Sequence, residues 1–527
     1  MRYGFLIDQT SCIGCHACTV ACKAEHDVPL GVFRTWVKYV EKGEFPNSRR
    51  HFLVERCNHC ANAPCVAICP TGALFTRPDG IVDFDKDRCI GCKSCMQACP
   101  YDAIYIDPAE HTAAKCNFCA HRIDQGLQPA CVLVCPEEAI IFGDLDNPAS
   151  RISQLVGRES VAVRRPEQGT EPKLFYLGAD ATALVPEALP QPLGAMWNEP
   201  PSDPSPGAAR VHRTLLLPNT EHAQVDYNVA HPAPWGWRVA AYLVAKSLAA
   251  GLFLVLSGLL TAGVPDVGAL ALPATVGALV FLALTTLLLV ADLKRPERFM
   301  YILLKPQWGS WLTRGTVILI GYGTLLVLWG VIDLLGHGPP PIALTWLVAL
   351  FAIGTAGYTA LLFAQAEGRD LWQEPLVAAE LIVQAVIAGA AGLALIAPFA
   401  AGVTAGVHQT TGVHRTPLQS AVAGVLLVAL LAHAALIALA LYSPHPTANA
   451  AWGARELTRG ALAARFWSLG VAVGIALPVV LILIALVTGQ AGGAAGLLLA
   501  LAALAALVGL AAYDDAFVRA GQAAPLS

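Results

Sequence analysis

The sequence predicts two unlike parts: an α+β domain, followed by an all-α bundle of eight transmembrane helices. Three observations predict this division. All 16 cysteines lie before residue 136, in a segment of ordinary polarity. From about residue 236 to 513 the chain is mostly Leu, Ala, Val, Ile and Gly, in long runs. Between these parts lies "VPEALPQPLGAMWNEPPSDPSPGAAR" (185–210), whose proline density and lack of periodicity predict an irregular linker.

The cysteines sort into four groups of four, with none left over. The first group lies in the run "CIGCHACTVACK" (12–23), spaced C-x2-C-x2-C-x3-C. The last three groups end in Cys-Pro, whereas Cys22 is followed by Lys23. The groups are Cys12, Cys15, Cys18 and Cys22; Cys57, Cys60, Cys65 and Cys69; Cys89, Cys92, Cys95 and Cys99; and Cys116, Cys119, Cys131 and Cys135.

This spacing is typical of paired [4Fe–4S] centres, in which the fourth cysteine of a run serves the other cluster. Three closely spaced thiolates can converge on one cluster from a single loop, and the fourth points the other way. The 16 cysteines therefore predict four [4Fe–4S] clusters. The alternatives are a disulfide framework and structural zinc. Disulfides do not need this spacing, and zinc sites prefer paired C-x2–4-C groups.

The repeated motif predicts two ferredoxin-like dicluster units. The stretch "GIVDFDKDRCIGCKSCMQACPYDAIYID" (80–107) reads as a strand, a cluster loop, a short helix and a second strand. The stretch "GDLDNP" (143–148) closes the last unit.

The apolar part contains eight runs that are each long enough to cross a bilayer as a helix. A large buried soluble core is the alternative, and so many long runs in succession argue against it. Gly-, Pro- or charge-rich breaks such as "GHGPPP" (336–341) and "YSPHPTANAAWG" (442–453) separate them. The runs cover roughly 239–262, 268–292, 315–336, 342–365, 376–399, 418–442, 465–488 and 492–513.

These features divide the chain into a four-cluster ferredoxin-like domain (1–180), a Pro-rich linker (181–235) and an eight-helix membrane anchor (236–527). The net charge of −4 and the lack of a basic stripe predict no nucleic-acid partner. The opening "MRYGFLIDQTSC" has no apolar h-region and no twin-arginine pair, so we expect no secretory signal. The chain could still cross a membrane bound to a partner that carries one.

The cysteine-rich part resembles the four-cluster electron-transfer subunits of molybdopterin oxidoreductases. These include the subunits of dimethyl sulfoxide, polysulfide, thiosulfate and tetrathionate reductases and of sulfite dehydrogenase. The resemblance covers about residues 1–180. It rests on "ERCNHCANAPCVAICPTGAL" (55–74), "KCNFCAHRIDQGLQPACVLVCPEEAI" (115–140) and "RPEQGTEPKLFYL" (165–177).

The resemblance implies how the four runs share their clusters, because in that family the first run pairs with the fourth and the second with the third. Some relatives lose one cysteine of the third run and carry a three-iron cluster, whereas this chain keeps all four. The implied ligand sets are Cys12, Cys15, Cys18 with Cys135; Cys22 with Cys116, Cys119, Cys131; Cys57, Cys60, Cys65 with Cys99; and Cys69 with Cys89, Cys92, Cys95.

The apolar part lacks the paired helical histidines that haem b needs, so we expect no haem. His433 alone lies well inside a run, while His337, His408, His414 and His445 lie between runs. This part resembles the eight-helix, haem-free membrane subunits of the polysulfide reductase family. The matching stretches are "YLVAKSLAAGLFLV" (242–255), "LLLVADLKRPERFMYILLKPQWGSWLTRG" (287–315), "GYTALLFAQAEGRDLW" (357–372), "RFWSLGVAVGIALP" (465–478) and "RAGQAAP" (519–525).

The membrane resemblance implies a quinone, either menaquinone or ubiquinone, as the electron carrier soluble in the bilayer. Tyr358 matches the quinone-contacting tyrosine of the fourth span and is the predicted donor to a quinone carbonyl. Ionisable groups in a bilayer are costly and usually functional. Lys246, Asp292 and Glu380 are therefore further quinone or proton candidates, and Lys246 departs from the small or neutral residue expected there. Ordinary interhelical hydrogen bonding is the alternative for each, and Gln384 shares a helix face with Glu380.

Basic residues indicate which side of the membrane the clusters face, because Lys and Arg in short loops mark the cytoplasm. Arg415 stands alone on the side opposite the cysteines. We therefore expect a multi-pass protein of the inner (cytoplasmic) membrane with a cytoplasmic iron–sulfur domain, although several family members face the periplasm. The basic residues on the cysteine side are Arg238, Lys294, Arg295, Arg298, Lys305, Arg314, Arg369, Arg455, Arg459, Arg465 and Arg519.

The sequence thus favours an electron-transfer and membrane-anchor subunit, a fusion of two usually separate chains. It would relay electrons between the quinone pool and a molybdopterin-containing catalytic subunit, without acting on the terminal substrate itself. The main alternative is a redox-coupled proton-translocating module of a larger respiratory complex. A cluster-bearing assembly or sensor protein is a third class, which the eight spans disfavour. The partner's substrate, the direction of electron flow and the quinone type are not readable from this chain.

Overall fold

The computed structural model describes residues 1–185, 189, 223–336, 340–404, 417–487 and 493–527. Most of the predicted linker, the residues His337, His408, His414 and Arg415, and part of the "GHGPPP" break lie outside the described residues.

The cysteine-rich half is a set of small sheets joined by short helices. The main sheet has the order β8-β1-β10-β9, in which β1 runs parallel to β10 and antiparallel to β8. The remaining sheets are β11-β2-β3, β4-β5 and β6-β7. The strands are Tyr3–Asp8 (β1), Thr35–Lys42 (β2), Arg49–Arg56 (β3), Leu74–Thr76 (β4), Val82–Phe84 (β5), Ile104–Ile106 (β6), Ala113–Lys115 (β7), Ile140–Asp144 (β8), Val161–Ala162 (β9), Leu174–Leu177 (β10) and Ala223–Tyr227 (β11).

Five of the seven short helices described in this half begin inside or beside the cysteine runs. The helix that overlaps the first run buries Cys18 and Cys22, and the helix within the third run buries Cys95. The helices are Ala17–Glu25, Pro64–Ile68, Ser94–Ala98, Ala120–Ile123, Ala130–Leu133, Arg151–Arg158 and Ala181–Leu184. Strand β11 lies inside the segment predicted as a linker (181–235) and pairs with β2, so the chain returns to the cysteine-rich half before it enters the membrane.

Eight helices among the described residues are long and apolar enough to span a membrane, which confirms the predicted fold class. We call them spans 1 to 8 in chain order. Span 7 begins as a π-helix over Arg465–Ala476, and a further helix, Ala448–Thr458, precedes it. The spans are Trp237–Thr261, Gly268–Asp292, Trp311–Leu335, Ile342–Ala364, Val377–Thr404, Pro417–Tyr442, Arg465–Val487 and Gly493–Gly521.

Small residues allow two pairs of spans to approach closely. A Cβ added to Gly251 of span 1 would lie 1.8 Å from the carbonyl oxygen of Ala385 in span 5. A Cβ added to Gly509 of span 8 would lie 1.9 Å from Gly474 of span 7. Such glycine contacts let helix backbones pack directly in a membrane, where no hydrophobic effect drives helices together.

One continuous apolar core joins the cysteine-rich half to the bundle. Trp36 and Met96 of the first half and Trp235, Phe363 and Trp372 of the second belong to the same buried cluster. The ring centroids of Trp235 and Trp372 are 5.4 Å apart in a stacked arrangement. The two halves therefore pack as one body at the membrane face.

Candidate functional site: cysteine cavities and an adjoining apolar cavity

The first cysteine run lies beside the end of the fourth. Cys12, Cys15 and Cys18 line one small cavity together with Cys135. The run turns sharply because Gly14 and His16 have positive φ angles of 69° and 60°. A Cβ at Gly14 would also lie 2.4 Å from the ring of Phe52, so this turn needs glycine.

The third cysteine run lies beside the end of the second. Cys89, Cys92 and Cys95 line a separate small cavity with Cys69. Backbone N–H groups of Gly91 and Ala113 donate to Cys89 Sγ, each at 3.4 Å. The structure thus brings together three thiols from one run and one thiol from another, which is the arrangement implied for this group.

The remaining eight thiols also meet across runs. The thiol of Cys22 interacts electrostatically with Cys116, Cys119 and Cys131. The thiol of Cys99 interacts with those of Cys57, Cys60 and Cys65. Among the described residues, no three Cys, His, Asp or Glu side chains are placed to hold a single metal ion. Four thiols around a cavity fit a polynuclear cluster better than one zinc ion.

Burial raises the pKa of several of these thiols and so makes them weaker acids. Burial raises the pKa of Cys18 to about 11, and burial and the neighbouring Cys69 raise the pKa of Cys92 to about 12. Formation of metal–thiolate bonds must therefore release protons, and the bonds must offset the cost of burying the charge. The donor set fits [4Fe–4S] clusters, which bind thiolates.

A buried cation stands among the thiols of the first and fourth runs. Arg56 Nη1 donates to Cys131 Sγ at 3.0 Å, and the guanidinium lies 1% exposed. Its Nε and Nη2 have no hydrogen-bond partner among the described residues. A buried guanidinium with spare donors suits an anionic cluster at this place, because an unpaired buried charge is otherwise costly.

The second and third runs rest on the bundle. Ser310 and Thr313, at the start of span 3, donate to the carbonyls of Ile68 and Pro70 at 2.6 Å and 3.0 Å. Gly91 packs directly on Lys294, where a Cβ would lie 2.6 Å from the lysine Cβ. The segment after span 4 also contacts this half, since Gly368 N donates to Gln97 O at 3.2 Å.

A large apolar cavity opens directly beneath the third run. Its volume is about 760 Å³, which is in the range of small-molecule sites. Cys92 and Ser94 form its boundary with the cysteine-rich half. Most of the wall is aliphatic, from spans 2 and 3, and the bundle contributes Tyr242 of span 1 and Asp292 at the end of span 2 as ionisable groups. The Nε1 of Trp235, a further wall residue, donates to Cys92 O at 3.3 Å.

The structure places one of the four predicted quinone or proton residues in the lining of the cavity and the other three outside it. Asp292 lines the cavity, and one of its carboxylate oxygens lies 2.7 Å from Lys93 Nζ. Tyr358 and Lys246 lie behind the cavity wall and outside its lining. The ammonium of Lys246 is 5.3 Å from the centre of the Tyr358 ring. The assignment of Tyr358 as a carbonyl donor stays a prediction.

Glu380 lies in the first turn of span 5 and outside the lining of the cavity. Its Oε1 is 3.4 Å from Nε2 of His433, the histidine that lies well inside span 6. Both side chains are buried, with relative exposures of 6% and 3%. His433 thus has a carboxylate neighbour.

Sequence reasoning missed Tyr242, Lys93 and Trp235. Tyr242 precedes Lys246 by one helical turn, so a search for polar residues on the Lys246 face would have found it. No local signal marks Lys93 or Trp235, since both reach the cavity or its edge through the packing of the two halves.

Three segments match known families. Residues 226–524 match the family described as polysulphide reductase, NrfD. Residues 49–145 and 11–74 match two families of 4Fe-4S dicluster domains. The chain therefore has 4Fe-4S dicluster domains followed by a multi-pass membrane domain.

Curated relatives match the cysteine-rich part. The B subunit of tetrathionate reductase from Salmonella typhimurium is 47% identical over 205 residues, which cover 38% of this chain and 80% of that protein. The B component of polysulfide reductase from Wolinella succinogenes is 42% identical over 181 residues, covering 33% and 94%. The arsenate respiratory reductase iron-sulfur subunit ArrB of a Shewanella species is 35% identical over 225 residues, covering 34% and 96%.

Proposed function

Because this protein belongs to the polysulphide reductase NrfD family, we propose that it relays electrons between membrane quinone and a separate molybdopterin-containing catalytic subunit. The chain is an iron–sulfur electron-transfer subunit fused to an NrfD-type membrane anchor. One observation carries the quinone part of this proposal. An apolar cavity of about 760 Å³ adjoins Cys92. A hydrophobic carrier that enters from the bilayer would there stand next to a cluster ligand.

The proposed cofactors are four [4Fe–4S] clusters, held by the 16 cysteines in the cross-run sets given above. When bound, the clusters would supply one-electron transfer between the bundle and the partner. The protein's part is to hold each thiolate, exclude water and neutralise charge. Arg56 serves the first and fourth runs in this way, through its hydrogen bond to Cys131 Sγ. Lys93, with φ of 65°, turns the third run and pairs with Asp292.

The residues that face the cavity suit a quinone. The aliphatic wall would hold the ring and tail, and the hydroxyl of Tyr242 would donate to one carbonyl. Asp292 would exchange a proton at the other end. The ion pair between Asp292 and Lys93 holds that carboxylate beside the third run. We propose no haem in this chain, and either menaquinone or ubiquinone would fit the cavity.

The catalytic partner is proposed to dock at the first cysteine group. The contacts described above between the cysteine-rich half and the bundle come from the second and third runs. The first group lies apart from these contacts, and Cys15 is exposed. Ile13, Val20 and Leu133 around it are 55%, 64% and 67% exposed. The names of the tetrathionate and polysulfide reductase relatives, each a lettered part of a reductase, support membership in a complex.

The orientation is also proposed. The basic loops contact the cysteine-rich half, as at Lys294 and Arg369, so by the positive-inside rule that half would face the cytoplasm of the inner membrane. Fusion of reporters after Ser527 tests this. We expect fluorescent green fluorescent protein and silent alkaline phosphatase, and the reverse pattern would contradict the orientation.

Quinone reactivity is tested on the purified protein. Reduced methyl viologen should bleach the iron–sulfur absorbance, and a short-chain quinone should restore it. If ferricyanide restores the absorbance and no quinone does, the quinone proposal is wrong. The partner is tested by purifying the native complex, in which we expect a large subunit containing molybdenum in a one-to-one ratio.

A further inference from the structure

A row of buried polar side chains leads away from the apolar cavity into the bundle. It begins at Tyr242, whose hydroxyl lies 3.5 Å from Thr359 Oγ1. Lys246 Nζ donates to the same Thr359 oxygen at 2.7 Å and to Ala356 O at 2.9 Å. Lys246 and Thr359 are both 0% exposed. A buried ammonium in a bilayer is costly, and its presence indicates a function.

The row continues from Lys246 into spans 5 and 8. Asp514 of span 8 is the acidic group that interacts electrostatically with Lys246, and Asp514 also hydrogen-bonds Gln384 of span 5. Asp514 and Gln384 are each 1% exposed. Asp514 Oδ2 and Gln384 Oε1 have no hydrogen-bond partner among the described residues. Unpaired buried oxygens of this kind are the usual places for ordered water or a mobile proton.

The last part of the row reaches the membrane face that carries the cysteine-rich half. Glu380, one turn before Gln384, contacts His433 and hydrogen-bonds Tyr513. A small cavity lies between Glu380 and Tyr513 on one side and Glu374 and His445 on the other. His445, which follows span 6, has its Nδ1 2.8 Å from Oε1 of Glu374, which lies just before span 5.

Every member of this row lies in the half of the bundle nearest the cysteines. Lys246 is the deepest member in span 1, at about 14 Å from Trp237, at a rise of ~1.5 Å per residue. In the opposite half, the described residues carry two ionisable side chains, Asp266 and Asp333. Asp266 lies in the loop after span 1, and Asp333 lies two residues before the end of span 3. The polar row therefore stops at mid-membrane.

We propose that a proton of the quinone chemistry passes between the apolar cavity and the water on the cysteine side along this row, with Lys246 as its relay, and that no proton crosses the bilayer. This inference rests on the proposed quinone function. Each quinone that becomes quinol takes two electrons and two protons, and quinol oxidation returns them. The row connects the Tyr242 end of the cavity with Glu374 and His445, while Asp292 serves the end near the surface.

The sidedness of proton uptake tests this in proteoliposomes of the full-length protein. Vesicles with the cysteine-rich half outside are selected by protease accessibility, loaded with quinone and a trapped pH dye, and given a second dye outside. Reduced methyl viologen supplies one electron and no proton per molecule. Two viologen radicals, one quinone and two protons then give two oxidised viologens and one quinol. With valinomycin and K⁺ present, we expect the outer dye alone to report alkalinisation, in step with quinone reduction.

Alkalinisation of the vesicle interior in step with turnover would overturn the inference and support proton translocation. If the wild-type protein is oxidised by ferricyanide and reduces no quinone, the proposed function fails instead, so the two failures are distinguishable.

Substitutions locate the relay within the row. Lys246→Met should slow quinone reduction and outer proton uptake together by at least about tenfold, because a positioned proton donor or acceptor typically contributes ~10²–10⁴-fold. Asp514→Asn is a second variant that does not change side-chain size. Asp333→Asn in the opposite half is the matched control and should match the wild type. Iron content and viologen–ferricyanide turnover show that each variant is folded. Wild-type proton uptake and quinone reduction in both Lys246→Met and Asp514→Asn would exclude this row as the route.

Discussion

The cysteine-rich half and the membrane bundle build their sites in opposite ways. In the first half, three ligands of each proposed cluster come from one short run, as Cys89, Cys92 and Cys95 do, and a distant run adds only the fourth. In the bundle, the polar row takes one or two side chains from each of several spans, and its members Tyr242 and Asp514 are 272 positions apart. A local site can be predicted from the spacing of its residues in the sequence, whereas a dispersed site forms only when the helices pack together.

The difference also appears in how each half tolerates charge. The thiols and Arg56 are buried in the cysteine-rich half, where they compensate one another. Lys246 in the bundle has a hydroxyl and a carbonyl as its hydrogen-bond partners, and its acidic neighbour Asp514 is shared with span 5. We propose ligand and counter-ion roles for the thiols and Arg56 in the first half, and proton movement for the charges in the second.

The largest effect is expected for removal of a thiol that joins two runs. Cys69→Ala should remove the same cluster as Cys92→Ala, because both thiols line one cavity. Iron should fall from about 16 to about 12 atoms per chain, and quinone reduction should be lost, because a cubane needs four thiolates. Electron paramagnetic resonance of the reduced protein should lose the same signal in both variants. Loss of different signals would break the cross-run assignment.

The sequence predicted the local features of the fold well. The spans and the grouping of cysteines follow from apolar runs and spacing, which are local properties. The crossing of β11 back onto β2 was not predicted, because it depends on a contact between Val225 and Val40, 185 positions apart. Tyr242 was missed although it lies one helical turn before Lys246. That its side chain lines a cavity depends on the packing of span 2 and the third cysteine run around it.

The next largest effect is a difference in quinone-reduction rate between substitutions of Tyr242 and Tyr358. Tyr242 lines the cavity, and Tyr358 packs behind it, with ring atoms 2.3 Å from where a Cβ of Gly315 would lie. We expect Tyr242→Phe to slow quinone reduction at least about tenfold, because loss of a general acid usually costs this factor or more. We expect Tyr358→Phe to slow quinone reduction by a smaller, several-fold factor. Cluster spectra and dye turnover should be unchanged in both. A larger defect in Tyr358→Phe would restore that residue as the carbonyl donor.

A milder defect is expected for the carboxylate at the cavity edge. Asp292→Asn keeps the side-chain size and removes the charge that pairs with Lys93 at 2.7 Å. Quinone reduction should slow about threefold, because the neighbouring surface water can still supply a proton. Lys93→Gln should reproduce the defect if the ion pair positions Asp292. An unchanged rate in Lys93→Gln, with a slow Asp292→Asn, would assign the effect to the carboxylate alone.

The smallest effect concerns packing alone, in the bundle where most positions are apolar and composition gives little information. Gly251→Ala places a methyl group against the backbone of span 5, at 1.8 Å from Ala385 O, so spans 1 and 5 must separate. Overpacking of this kind costs about 1–3 kcal/mol, which should lower the melting temperature in detergent by a few degrees. Gly258→Ala in the same span is the matched control, because nothing lies within 4 Å of its Cβ position. Alanine is the better helix former, so this control should melt at or slightly above the wild-type temperature. Equal melting of the two variants would mean that the close approach of spans 1 and 5 does not hold the bundle, and that the polar row between Lys246 and Gln384 depends on other contacts.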